Sequence, residues 1–267
     1  MVDVLKKYLI LHSKISIRNM SGHNKWSTIK RKKGANDAKR GKIFTKIIKE
    51  ITIAAKEGGS DPELNPRLRL AVQNAKGANM PKDNIERAIK KDVGADADSY
   101  VATTFEGYAP GGIAVFVECL TDNNNRTVAT IRSAFNKHGG KLGTNGSLSS
   151  LFERKGVFTV RKDDVSSAEE MELELIDAGA QDIESDDDAY TITCAMEDFG
   201  SVNRKLGELG IQPEEAGLKR IPVNTRKLDL ESAKKVLRFV EFLEDDDDVQ
   251  NVYHNLEITD ELAEQME

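Results

Sequence analysis

A chain of 267 residues, 39% hydrophobic and 31% charged with a formal net charge of −6, can fill two or three small cores, which excludes disorder throughout. No apolar run approaches the ~20 residues of a bilayer-spanning helix. Charge is unevenly divided: Met20 to Asp92 carries 18 basic and 8 acidic residues, net +10, whereas Val93 to the end carries 17 and 36, net −19.

The first nineteen residues read as an N-terminal extension. Lys6, Lys7, Lys14 and Arg18 surround a short apolar segment, Tyr8 to Leu11. That segment is too short for a secretory signal and lacks a small-residue cleavage site, and a single arginine fits a transit peptide poorly. The extension is either a leader or the product of an upstream start codon. Met20 followed by Ser21-Gly22-His23 is the preferred beginning.

Residues 22–50 set ten lysines and arginines against Asp37 and Glu50, with Trp26 and Phe44 among them. From Gly41 to Gly58-Gly59, Ile43, Phe44, Ile47, Ile48, Ile51 and Ala55 recur at helical spacing. Lys42, Lys46, Lys49 and Lys56 fall on the other side, so the pattern predicts an amphipathic helix with its lysine stripe facing outward. A second helix is expected from Pro66 to Lys76, and a third opens at Pro81 and carries Ile85, Ala88 and Ile89. These three make a basic helical domain, 20–97.

The period then becomes alternating. Thr103–Tyr108 and Ile113–Leu120 read as strands joined by the turn set Ala109-Pro110-Gly111-Gly112. Asn125–His138 is a helix stopped by Gly139-Gly140, and Leu148–Phe152 resumes a strand-like run. From Gly156 the order is strand, helix Ser166–Ala178, strand Asp182–Ser185, strand Tyr190–Cys194, helix Glu197–Leu209, strand Leu218–Val223. That is the β-α-β-β-α-β order of a ferredoxin-like unit. A helix Asp229–Leu243 and a strand Val249–Ile258 remain, and they complete the middle sheet. The fold class expected is therefore α+β, three-domain: a helical N-terminal domain, then two ferredoxin-like α/β domains. One of these, 156–225, is inserted in a discontinuous partner, 98–155 plus 226–267.

Cys119 and Cys194 lie in strand-like runs without metal-ligand spacing and are expected to be buried free thiols of a reducing compartment. The four histidines, His12, His23, His138 and His254, lack a paired nucleophile or carboxylate motif, so no catalytic residue is assigned. The loop Gly139–Gly146 fits neither phosphate-binding fingerprint and reads as a helix stop followed by a tight turn. The acidic runs Asp186–Asp188 and Asp245–Asp248 have no metal-site spacing and read as solvated turns.

The basic cluster is what carries function. Long cations free of carboxylate partners neutralise phosphates and release counterions, a drive needing no base-specific fit. The expected nucleic-acid contacts are Lys25, Lys30, Arg31, Lys32, Lys33, Lys39, Arg40, Lys42 and Lys46, with Trp26 stacking on an unpaired base. Arg126, Arg132 and Lys141 extend this footprint into the middle domain. The competing reading is a cationic surface docked on the protein's own acidic body.

Several long motifs, GHNKW, RGKIFTKIIKE, EGYAPGG, DNNNRT, GGKLGTNGS and DVQNVYHN, follow one another from Gly22 to Asn255. In these the chain resembles the YebC/PmpR family, which includes a mitochondrial translational activator of cytochrome oxidase. The resemblance implies a three-domain architecture with a helical N-terminal domain. It also implies a cytoplasmic, non-enzymatic regulator of gene expression. Some members are labelled as DNA-binding transcriptional regulators and others resemble translation factors on ribosomal RNA, so DNA and RNA both stand as targets. No cofactor, metal, membrane or small-molecule substrate is expected.

Overall fold

The apolar run IAVFVECLT can be buried on both faces only as a central strand, and a computed structural model of the chain places it there. The residues described are 25–26, 28–29, 37–90 and 100–266, with side chains from Arg40 onward in the first long helix. They form an α+β protein with a helical N-terminal region and two four-stranded sheets. Two compact units divide it, one of residues 72–81 with 154–220, the other holding the remainder.

The helical region comprises α1 (Asp37–Gly58), α2 (Pro66–Gly77) and α3 (Lys82–Lys90). Gly41 does not open α1, which begins earlier. Its other end closes where the sequence places the stop: Gly59 takes φ 89° and donates its amide to the Ala55 carbonyl at 2.9 Å. Asn65 joins the first two helices. Its side-chain oxygen accepts from the Leu68 amide, capping α2, and its amide donates to the Ala54 and Gly59 carbonyls at 2.6 and 2.8 Å.

The first sheet has the order β3-β1-β2-β8, with β1 Val101–Ala109, β2 Ile113–Thr121, β3 Lys141–Leu142 and β8 Val249–His254. Every neighbouring pair is antiparallel. Ile113, Val115, Val117 and Cys119 lie in one apolar cluster with Ile131 and Phe135 of α4 (Asn124–Lys137) and Val236, Phe239 and Val240 of α7 (Leu230–Glu244). Ala114 and Phe116 meet Leu148, Phe152 and Tyr253 on the opposite face. The turn into β2 is a short 3-10 helix in which Gly111 and Gly112 take φ 78° and 72°, values that favour glycine.

Two expectations fail in this sheet. Leu148–Phe152 is not its third strand; that place belongs to the two-residue β3 inside the glycine-rich loop. Leu148 instead fills the core from a turn, and its amide donates to the Glu106 carboxylate at 2.7 Å. The last strand ends at His254, before Ile258, and a short helix α8 (Asp260–Met266) follows that the periodicity did not signal.

Glu106 also explains the loop. This carboxylate, 5% exposed, accepts from the Gly146 amide at 2.8 Å, and its backbone oxygen accepts from the Gly143 amide at 2.8 Å. The Gly146 and Leu148 amides are thus turned onto an internal carboxylate rather than toward a phosphate. Glu106→Ala leaves two amide donors unpaired and is expected to destabilise by about 2–4 kcal/mol, read from the shift of the urea midpoint at unchanged m-value.

The second sheet has the order β5-β6-β4-β7, with β4 Phe152–Arg161, β5 Ala180–Ser185, β6 Ala189–Ala195 and β7 Glu215–Pro222. Helices α5 (Ala168–Asp177) and α6 (Phe199–Glu208) complete the β-α-β-β-α-β run. Strands two, three, one and four of that run lie side by side. Phe158 stacks on Phe199 at 4.7 Å over a core that includes Met171, Leu175, Ile192 and Leu206. In the same unit Asn74 of α2 pairs with the backbone of Ala216 through both its side-chain oxygen and its amide.

Candidate nucleic-acid interface

Four consecutive aspartates follow α7, and each does something different. Asp245 is exposed and holds Lys42 Nζ at 2.8 Å. Asp246 accepts the Asp248 amide through Oδ1, closing a tight turn. Asp247 offers its backbone oxygen to Lys49 at 2.7 Å. Asp248 is buried, with Lys49 Nζ 2.8 Å from Oδ1 and Arg126 2.8 Å from Oδ2. The hydroxyls of Thr121 and Thr127 lie 3.0 and 2.9 Å from the same Oδ2. The reading of this run as a solvated turn is therefore corrected: its last residue is a hydrogen-bonded anion inside the protein.

The lysine stripe of α1 is corrected with it. Lys42, Lys46 and Lys49 stand four and three residues apart on one face, and that face meets the end of α7. Lys46 donates to the Glu244 backbone oxygen at 2.9 Å, and Lys49 is only 8% exposed. Helix C-termini leave carbonyls without intrahelical partners and carry partial negative charge, so a cation ladder there satisfies both. The competing reading, a cationic face docked on the protein's own acids, holds for Lys42, Lys46 and Lys49. It holds for Lys25 too, whose Nζ is 2.7 Å from Asp260 at the start of α8 and holds that carboxyl below its usual range.

Trp26 is removed from base stacking. It is 2% exposed, belongs to the core cluster around β2, and meets the His254 ring edge-on at 6.3 Å. A tryptophan beside a basic run signals either a stacking ring or an anchor, and burial decides for the anchor. Arg126, read as a secondary contact, is bound to Asp122 and Asp248 at 2.7 and 2.8 Å, and those hydrogen bonds raise its pKa further. Arg132 and Lys141 are exposed. Arg40 is exposed as well, its guanidinium 5.7 Å from the Phe44 ring centre. Lys39 falls in α1. Lys30, Arg31, Lys32 and Lys33 lie outside the described residues.

Burial pushes the Cys119 thiol up to about 12 and the Cys194 thiol up to about 11, so neither is a nucleophile at neutral pH. Among the described residues no group of three or more His, Cys, Asp or Glu is arranged to hold a metal, and no helix is long and apolar enough to cross a membrane.

The helical region and the two sheets correspond to separate parts of one known architecture. Residues 24–95 match the model of the TACO1/YebC protein N-terminal domain, and residues 100–256 match that of the TACO1/YebC second and third domain. The chain belongs to the TACO1/YebC family. A protein of Rubrobacter xylanophilus named as a probable transcriptional regulatory protein is 56% identical over 91% of this chain and 98% of its own length. One of the same name from Amoebophilus asiaticus is 54% identical, over 89% and 98%. The crystal structure of a conserved hypothetical protein from Aquifex aeolicus superposes with a TM-score of 0.76 at 45% identity, covering 83% of this chain and 91% of that one. The family resemblance carried by motifs such as RGKIFTKIIKE and DVQNVYHN is thereby confirmed, and the two motifs turn out to touch. Lys42, Lys46 and Lys49 of the first meet the acidic run that leads into the second, which opens with Asp248.

Proposed function

We propose that this TACO1/YebC-family chain is a non-enzymatic, cytoplasmic regulator of gene expression that binds nucleic acid through its basic head. The observation that carries this reading is the +10 to −19 division of charge along the chain. Charge of this density on one segment favours polyanions, while the acidic remainder disfavours them over most of its length. The names of its relatives, probable transcriptional regulatory proteins, support a transcriptional role, for which we propose DNA as the target. Internal pairing of Lys25, Lys42 and Lys46 narrows the phosphate contacts to Lys30, Arg31, Lys32, Lys33, Lys39 and Arg40. In this reading the ladder positions the head, and the other cations of the basic run do the binding. The domain limits 20–97, 98–155 with 226–267, and 156–225 are part of the proposal, as is a ferredoxin-like fold for both α/β parts.

A second reading, a ribosome-associated translation factor bound to ribosomal RNA, is favoured by the lack of a recognisable major-groove reading helix in the sequence. Crosslinking in cells followed by sequencing of the attached nucleic acid separates the two: promoter duplexes support transcription, ribosomal RNA supports translation. In vitro, about six phosphate contacts predict a ~10³-fold fall in affinity between 50 and 200 mM salt. A flat salt titration rejects both readings.

A further inference from the structure

Lys25, Lys42, Lys46 and Lys49 of the head are engaged within the protein, but α7 carries cations that are not. Lys235, Arg238 and Phe242 stand at i, i+3 and i+7, on one exposed stripe of the helix. Phe242 is 42% exposed, unusual for a phenylalanine on a helix whose other aromatic, Phe239, is fully buried. Lys137, the last residue of the neighbouring α4, places its ammonium 5.2 Å from the centre of the Phe242 ring. His138 lies 4.9 Å from that ring and stacks on Phe239 at 5.2 Å, fixing the aromatic pair from below. Its buried Nε2 has no hydrogen-bond partner.

The electrostatics of this stripe favour an anion. Among the described residues Lys137, Lys235 and Arg238 form no ion pair. Helix α4 contains no carboxylate. Of the carboxylates on the α7 side, Asp245 is held by Lys42, and Glu231 lies 3.5 Å from Lys234. Glu241, one residue before Phe242, is already engaged. One cation over an exposed aromatic ring and two more along the same helix stripe fit an unpaired nucleic-acid strand, which offers phosphates and base faces together; a duplex hides its base faces in the stack.

We propose that this α4–α7 face is a second nucleic-acid surface, specific for unpaired strand. Phe242 supplies the ring on which a base stacks, and Lys137, Lys235 and Arg238 supply the phosphate contacts. Lys137 lies over the ring in the unbound protein and swings to the backbone as the base replaces it. This rests on the nucleic-acid reading above, but it assigns a separate site with its own chemistry.

The test uses the full chain with Phe242→Trp and oligonucleotides of about six nucleotides, short enough to occupy one stacking site. The only native tryptophan, Trp26, is buried and gives a constant background. Stacking is expected to quench the introduced indole with single-stranded but not duplex oligonucleotide. Phe242→Ala and Arg238→Glu should each weaken binding about tenfold with an unchanged melting temperature. Ribo- and deoxyribo-oligonucleotides run in parallel identify which strand is preferred. No quench, in a protein that still binds long polynucleotides, overturns this site and leaves the head reading standing. Quench that survives reversal of Lys30, Arg31, Lys32 and Lys33 to glutamate supports this site even if the head reading fails. Loss of all binding overturns both.

Discussion

Asp248→Ala is expected to destabilise the protein by about 3–5 kcal/mol, because it strands the buried ammonium of Lys49. At its present position that ammonium has three oxygen partners, the Asp248 carboxylate and the carbonyls of Asp247 and Leu120. Only the carboxylate neutralises it. Differential scanning calorimetry should show a fall of about 10 °C, on the scale of a protein this size. Lys49→Met in the same background removes the stranded charge and should recover part of the loss. If both single and double variants melt like the parent, the cluster contributes nothing.

The same group sets an acid limit. Burial pushes the Asp248 pKa up, but hydrogen bonds from Lys49, Arg126 and Thr127, with the Lys49 charge, outweigh it and hold the carboxyl at about 2, below its ordinary 3.8. A depressed pKa in the folded state means stability fully present above the unfolded value and lost as pH falls through the folded one. The contribution of Asp248 should therefore decline between about pH 4 and pH 2, and the slope of melting temperature against pH in that window should shrink in Asp248→Asn.

The second large effect concerns binding rather than folding. Reversing Lys30, Arg31, Lys32 and Lys33 to glutamate is expected to lower affinity for a long polynucleotide by at least ~10³-fold at 100 mM salt. Reversing Lys42 and Lys46 should act differently. Those cations meet Asp245 and the Glu244 carbonyl, so their reversal should lower the melting temperature before it lowers affinity. Parallel anisotropy titrations and melts on the two variants check the separation. Equal losses of affinity at equal stability would show that the ladder itself binds phosphate.

Most secondary structure was legible because periodicity is a local signal. The helix Asp229–Leu243, the unbroken apolar run of β2 and the β-α-β-β-α-β order each needed only neighbouring residues. What failed depended on partners far along the chain. Helical spacing says that Lys42, Lys46 and Lys49 share a face, but what covers that face lies about two hundred residues away. Four aspartates in a row look alike in sequence; the turn made by Asp246 is what points Asp248 inward. The expectation for Trp26 fails for the same reason, since the core cluster that includes it draws on strands and helices far along the chain. A usable signal did exist for the ladder. A lone acidic run at a helix end, in a chain with one lysine-striped helix, is a natural counterpart to that stripe.

The cysteines place one thiol in each sheet, Cys119 on β2 and Cys194 on β6, and so one in each compact unit. Both are shut away from solvent, so an alkylating reagent reaches either sulfur only when its own strand is uncovered. The molecule thus carries two internal clocks, and the ratio of their modification rates reports whether its halves open together or one at a time.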